Sequence, residues 1–126
     1  MPFVIGVMGI DGMRGDTTPP MKNFREAQRK VSTLDEFRGN VIAVETAPFW
    51  DDELERLAER RERSKDPEAD FTPEERRRLE GASNGGYHYL GAAKILAPIG
   101  RAFAEALIGA RGVEEDAVHD RGDPRR

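Results

Sequence analysis

Two short segments, Phe3-Val4-Ile5-Gly6-Val7-Met8-Gly9 and Asn40-Val41-Ile42-Ala43-Val44-Glu45, are apolar and rich in β-branched residues almost without interruption. A strand with one wet face alternates polar and apolar residues, so unbroken runs of this length predict strands buried on both faces, as in a parallel sheet. The first run closes at the turn-rich Ile10-Asp11-Gly12 and the second opens after Arg38-Gly39. Between them, Pro19-Pro20 precedes a helix expected over Met21 to Leu34, with Met21, Phe24, Ala27, Gln28 and Val31 at helical spacing. Strand, helix and strand in that order predict a right-handed βαβ crossover within an α/β fold. Two doubly buried strands alone would leave unpaired backbone along both outer edges. The pattern therefore predicts further strands, in a preceding segment or in a partner.

After Glu45 the chain passes through Thr46-Ala47-Pro48-Phe49-Trp50 into a helix beginning at Asp51 or Asp52, with Leu54, Leu57 and Ala58 as its apolar stripe. Residues 64–71 read as a polar connection. Thr72-Pro73-Glu74-Glu75 combines an N-cap threonine, a proline at the first helical position and a glutamate at the capping-box position, so a second helix starts there and stops near Gly81. A loop over residues 82–86 leads to a long helix expected from Tyr87 or Leu90. Its inward residues are expected to be Ile95, Leu96, Ile99, Phe103 and Leu107, with Lys94, Pro98, Arg101 and Glu105 outward and a kink at Pro98. Residues 1–110 are thus expected to form one α/β unit, and residues 111–126, with no core signal, a disordered tail.

Composition narrows the chemistry. The 126 residues contain no cysteine and two histidines, which excludes a disulfide framework, thiolate metal sites and a histidine-only zinc site, so neither a metal nor a cofactor is expected. The net charge of −4 resides in residues 51–80, which hold 12 acidic and 8 basic side chains. Pairs such as Asp52/Arg56, Glu59/Arg63 and Glu74/Arg78 fit solvated helix faces better than a phosphate-binding stripe, so nucleic acid is not an expected partner. No apolar run is long enough to span a membrane, and Pro2 to Gly9 lacks the basic start and length of a signal peptide. Nothing here indicates a compartment.

His88 is the most informative single position. It follows the Asn84-Gly85-Gly86 loop, lies between Tyr87 and Tyr89, and is placed to reach the carboxyl edge of the sheet, where α/β proteins bind ligands. A histidine there can act as general base to a serine or can satisfy local backbone groups. Asp11 and Arg14, in the loop after the first strand, are candidate substrate contacts; ordinary turn chemistry is the simpler explanation. Arg25 reads as exposed and Gln28 as a buried amide capping the sheet. Phe49 and Trp50 suit a sugar-stacking platform or a hydrophobic staple on the next helix. Gly6, Gly9 and Gly12 have the wrong spacing for a dinucleotide fingerprint.

Four blocks taken together, Pro2 to Gly9, Asn23-Phe24-Arg25-Glu26-Ala27-Gln28, Gly39 to Val44 with Phe49-Trp50-Asp51, and Tyr87-His88-Tyr89-Leu90-Gly91-Ala92-Ala93-Lys94, resemble the C-terminal part of the sialate O-acetylesterase-like carbohydrate esterases of the SGNH (GDSL-type) hydrolase superfamily. The resemblance covers about residues 2–108. It implies a flavodoxin-like three-layer α/β/α sandwich and removal of O-acetyl groups from carbohydrate by a nucleophilic serine, with His88 as its base. Asn84, beside the imidazole, would orient it or contact substrate; His119 is incidental. The family's Gly-Asp-Ser or Gly-Gln-Ser-Asn nucleophile block does not occur here, and none of Ser32, Ser64 or Ser83 follows a buried strand at a sharp turn. The superfamily's acid, typically three residues before the histidine, is replaced by Gly85. The resemblance thus implies a serine-bearing N-terminal part outside this chain, paired with it covalently or as a partner, or association of copies. The alternative expectation is a non-catalytic α/β interaction module or a degenerate esterase relic.

Overall fold

The computed structural model describes the backbone of residues 1–119 and the side chains of residues 1–110. It is a mixed α/β fold, mostly helical, around one two-stranded parallel sheet. Strand β1 (Phe3–Val7) pairs in register with β2 (Val41–Glu45), from Phe3 opposite Val41 to Val7 opposite Glu45. The crossover between them is helix α1 (Pro19–Val31), which opens with two prolines where no intrahelical amide is needed. Helix α2 (Asp52–Arg63) follows, then the single turn α3 (Pro67–Asp70), α4 (Pro73–Leu79) and the terminal α5 (Ala93–His119). The turn α3 breaks what the sequence suggested was a plain connection, with Asp66 capping it at the Ala69 amide. The tail expected over residues 111–126 lies outside the described side chains and, from residue 120, outside the described residues altogether.

Helix starts are set by side chains. The Asp51 carboxylate accepts from the Leu54 amide at 2.9 Å, and Thr72 and Glu75 form the reciprocal capping box of α4. Burial pushes the Asp51 carboxyl up, but hydrogen bonds from Lys94 and the Leu54 amide and the charges of Lys94 and Arg78 outweigh it, holding it below the usual carboxylate range. The Thr72 amide, then Arg60, lowers Glu75 likewise. Of the three anticipated pairs on the helix faces, only Glu59 and Arg63 meet side chain to side chain; Arg56 turns to the Asp52 carbonyl and Arg78 to Asp51 and Glu53.

The apolar core is formed chiefly by α2, α4 and the start of α5. Leu54, Leu57, Ala58, Phe71, Leu79, Ala82, Leu90, Ala92, Ile95 and Ile99 are buried around Trp50. Full burial of a side chain the size of Leu54 contributes roughly 1.5–3 kcal/mol. The strands, expected to be doubly buried, are mostly half-buried, because with two strands each has one unpaired edge among the described residues. Both α1 and α5 pack on both strands, and Phe103 of α5 lies where a side chain at Gly6 would project.

Two helix faces differ from expectation. On α1 the sheet-facing residues are Met21, Arg25, Gln28 and Val31, whereas Phe24 and Ala27 are exposed. Arg25, expected on the surface, is completely buried because its guanidinium reaches Asp16 and the Ile10 carbonyl. On α5, Ile95 and Ile99 are buried as expected but Leu96 is exposed, since the two-stranded sheet offers it no surface. The terminal helix also begins later than expected, at Ala93: the preceding Gly86–Gly91 segment is a 3-10 turn interrupted by left-handed residues.

Candidate functional site

Everything singled out around the carboxyl ends of the strands lies on three loops: residues 8–18 after β1, 46–51 after β2, and 82–92 before α5. Their junction is built from glycine and hydroxyl groups. Gly9 is buried so close to the Thr46 and Ala47 backbone that no Cβ fits there. The Gly9 amide donates to the Tyr89 hydroxyl at 2.8 Å. The Tyr89 oxygen lies 2.8 Å from the Thr46 hydroxyl, which donates to the Val7 carbonyl at 2.7 Å. A carbonyl only accepts, so the single Thr46 proton is committed to Val7, and Tyr89 must donate to Thr46. The result is one directed chain from Gly9 N–H through Tyr89 and Thr46 to the Val7 carbonyl.

The loop bearing His88 is folded on itself. The Ser83 and Asn84 amides both donate to the Leu90 carbonyl, and the His88 and Leu90 amides both donate to the Gly85 carbonyl. Tyr89, Leu90 and Gly91 have φ of 54, 58 and 57°. For the two residues with side chains this left-handed geometry costs roughly 1–2 kcal/mol each. Burial of Leu90 and the hydrogen bonds of Tyr89 offset it. No periodicity signals such a turn, which explains why a helix was expected here.

His88 itself is exposed, its ring tilted at 4.4 Å against that of Tyr87, which is 70% exposed. Its imidazole meets no hydrogen-bond partner among the described residues. The Asn84 side chain accepts from the Gly85 amide at 2.8 Å, an adjacent turn contact rather than a contact with His88. Ser83 is five positions from His88 and is engaged with the Gly91 carbonyl at 3.3 Å.

The loop after β1 is held from the other side. Asp11 adopts φ 64° at its turn and is half-buried, with its carboxylate unpaired among the described residues. Arg14 is committed: its guanidinium pairs with Glu55 and with Asp52, the latter at 3.1 Å. Glu55 chiefly, with Asp52, raises the Arg14 pKa. The same Glu55 oxygen accepts from the Trp50 indole at 3.1 Å. Trp50 is therefore part of the core, stapled to α2, with Gly12 against one end of its ring system and Gly86 near the other. The site thus brings Asp11 and His88 to the two loops that flank Trp50, while Arg14 and Trp50 hold the frame.

Three α1 side chains brace this end of the sheet: Gln28, expected as a buried amide capping the sheet, Arg25, expected on the surface, and Arg29, which sequence reasoning missed. Gln28 accepts from the Met8 amide at 2.9 Å, Arg29 pairs with Glu45 at the end of β2 through contacts of 2.5 and 2.9 Å, and Arg25 bonds the Ile10 carbonyl at 2.7 Å. Gly15 packs against the Arg25 guanidinium so closely that a side chain would displace it. Polar residues at positions 25, 28 and 29 share one helical neighbourhood, which was the available signal.

Among the described residues no cluster of acidic and histidine side chains could hold a metal ion, and no helix is long and apolar enough to cross a membrane. Comparison of the chain with protein-family models, curated proteins and solved structures found no match.

Proposed function

We propose that the chain is the base-bearing, C-terminal part of a sialate O-acetylesterase-like SGNH esterase acting on acetylated carbohydrate. The observation that carries this reading is the tethering of the His88 loop, through the Tyr89 hydroxyl, to the carboxyl ends of both parallel strands, the edge at which α/β enzymes bind ligands. Neutral His88 would take the proton of a serine as that serine attacks the acetyl carbonyl. It would return the proton to the departing sugar oxygen, and then activate the water that releases acetate. The serine and the oxyanion donors would come from a segment that precedes this one or associates with it.

The proposed fold is the flavodoxin-like α/β/α sandwich. Strands about 5 Å apart give each face of a pair room for one helix about 10 Å across. Two helices that both touch both strands suit one layer on each side. The exposed Phe3 and Phe24 would then meet the remaining strands and helices.

The test is acetate release from a per-acetylated sugar by the 126-residue chain, alone and joined to a serine-bearing N-terminal segment encoded upstream. The joined protein is expected to turn over and to lose about 10²–10⁴-fold in rate on His88→Ala. Turnover indifferent to that substitution would overturn the assignment. Hydrolysis by the chain alone, lost on His88→Ala, would show that it contains a nucleophile, with Ser83 the first to replace.

A second reading, a non-catalytic α/β interaction module, is favoured by one observation: the His88 imidazole has no orienting carboxylate or amide among the described residues. It predicts that the joined protein binds acetylated sugar or a partner chain without releasing acetate.

A further inference from the structure

His88 stands directly before the left-handed turn formed by Tyr89, Leu90 and Gly91. A turn of that kind does not persist on local preference, so something outside the loop must fix it. Leu90 fixes it from below, buried in the helical core. From the sheet side the turn is held by the Tyr89 hydroxyl, which is 80 positions from the Gly9 amide it accepts from and 43 from the Thr46 hydroxyl it donates to. Both partners lie within two residues of a strand, at the carboxyl ends of β1 and β2. Each member of the chain from Gly9 to Val7 has one proton direction, so removal of the phenolic oxygen leaves the buried Gly9 amide without an acceptor and the Thr46 oxygen without a donor.

We propose that Tyr89 is a positioning residue, whose hydroxyl pins the His88 loop to the ends of both strands and thereby sets where the imidazole stands. Its ring also contributes packing, meeting Trp50 edge-on with centroids 6.0 Å apart. That packing survives in Tyr89→Phe, and the pin does not. The importance of the placement rests on the reading of His88 as general base, but the placement is measurable without turnover, so loss of the esterase reading and loss of the pin are separate results.

The experiment is NMR on the full chain, comparing wild type with Tyr89→Phe, Thr46→Val and the control Tyr87→Phe. The readouts are the heteronuclear NOE of the His88 amide, the His88 imidazole carbon-bound proton signals and exchange of the Gly9 amide. In both Tyr89→Phe and Thr46→Val we expect an unchanged far-UV spectrum. In Tyr89→Phe, which removes the acceptor of the Gly9 amide, Gly9 exchange should be faster by about tenfold or more, the scale of one lost buried hydrogen bond, whereas Thr46→Val keeps that acceptor and removes only the link to β2. The His88 NOE should fall to that of a mobile loop with shifted imidazole signals, while Tyr87→Phe leaves the His88 NOE and Gly9 exchange as in wild type. Wild-type His88 parameters in a folded Tyr89→Phe would overturn the proposal and reduce Tyr89 to a core filler. Should that variant unfold, Thr46→Val decides by the His88 readouts, since it cuts the Tyr89 link to β2. In wild type itself, the Gly9 and Leu90 amides must open with a common free energy, and independent opening would equally overturn it.

Discussion

Leu54 and Phe24 both lie on helices, both at positions where apolar residues recur with helical spacing, yet Leu54 is fully buried and Phe24 is 48% exposed. The contrast extends to the regions they belong to. Around Leu54, α2, α4 and the start of α5 close on one another and bury Leu54, Leu57, Ala58, Leu79, Ile95 and Ile99. Around Phe24, the strand pair and α1 are held together mainly by directed polar contacts, Arg25 to Ile10 and Asp16, Gln28 to Met8 and Arg29 to Glu45, while Phe3, Phe24 and Phe37 remain open. One region is stabilised by area removed from water, the other by geometry at the strand ends. Burial is tolerant of small shifts, whereas hydrogen bonds are not, and a region that must hold a reactive side chain in place benefits from the second kind of restraint.

The contrast can be broken in order of effect. Leu54→Ala should cost about 2–5 kcal/mol in urea unfolding, since it opens a cavity in the closed region. Tyr89→Phe should cost about 1–3 kcal/mol by stranding the Gly9 amide, with a larger effect on strand-end amide exchange than on the helical core. Asp51→Ala should cost about 0.5–2 kcal/mol at neutral pH through loss of the α2 cap. Because the folded Asp51 pKa lies below its unfolded value of about 3.9, that contribution is full above about pH 4 and disappears as pH falls through the folded value. A pH titration of stability should therefore show wild type and Asp51→Ala converging in acid. Phe24→Ser in the isolated chain should change stability by no more than about 0.5 kcal/mol. A cost comparable to Leu54→Ala would erase the distinction between the regions; a much larger cost once a serine-bearing segment is attached would sharpen it.

Much of the element order is legible in sequence because it rests on local rules: the two apolar runs, the paired prolines that open α1 and the Thr72/Glu75 box are each short-range signals. The helix faces are less so. The inward face of α1 contains Gln28, as its spacing indicates, and also Arg25, which only the partners Asp16 and Ile10, contributed by another segment, reveal as buried. Leu96 and Phe24 are misplaced by periodicity for the complementary reason, that an apolar residue is buried only where a neighbour covers it. At the candidate site, His88 and Asp11 are identifiable from loop position, and Arg14 is too, but its capture by Glu55 and Asp52 is not. The left-handed turn after His88 is invisible because Tyr89 and Leu90 are poor residues for that conformation; the fold imposes it through Leu90 burial and the Tyr89 hydroxyl.

The directed chain at Gly9, Tyr89, Thr46 and Val7 also bears on the order in which the molecule assembles. Its Gly9 to Tyr89 link spans 80 positions and the Arg14 to Glu55 link 41, whereas the α2 cap and the α4 box span three each. Loop-closure entropy makes distant contacts late ones. The helix starts can therefore form before these links close, and the candidate site would be assembled late in folding, together with the docking of α5 on β1, where Phe103 meets Gly6.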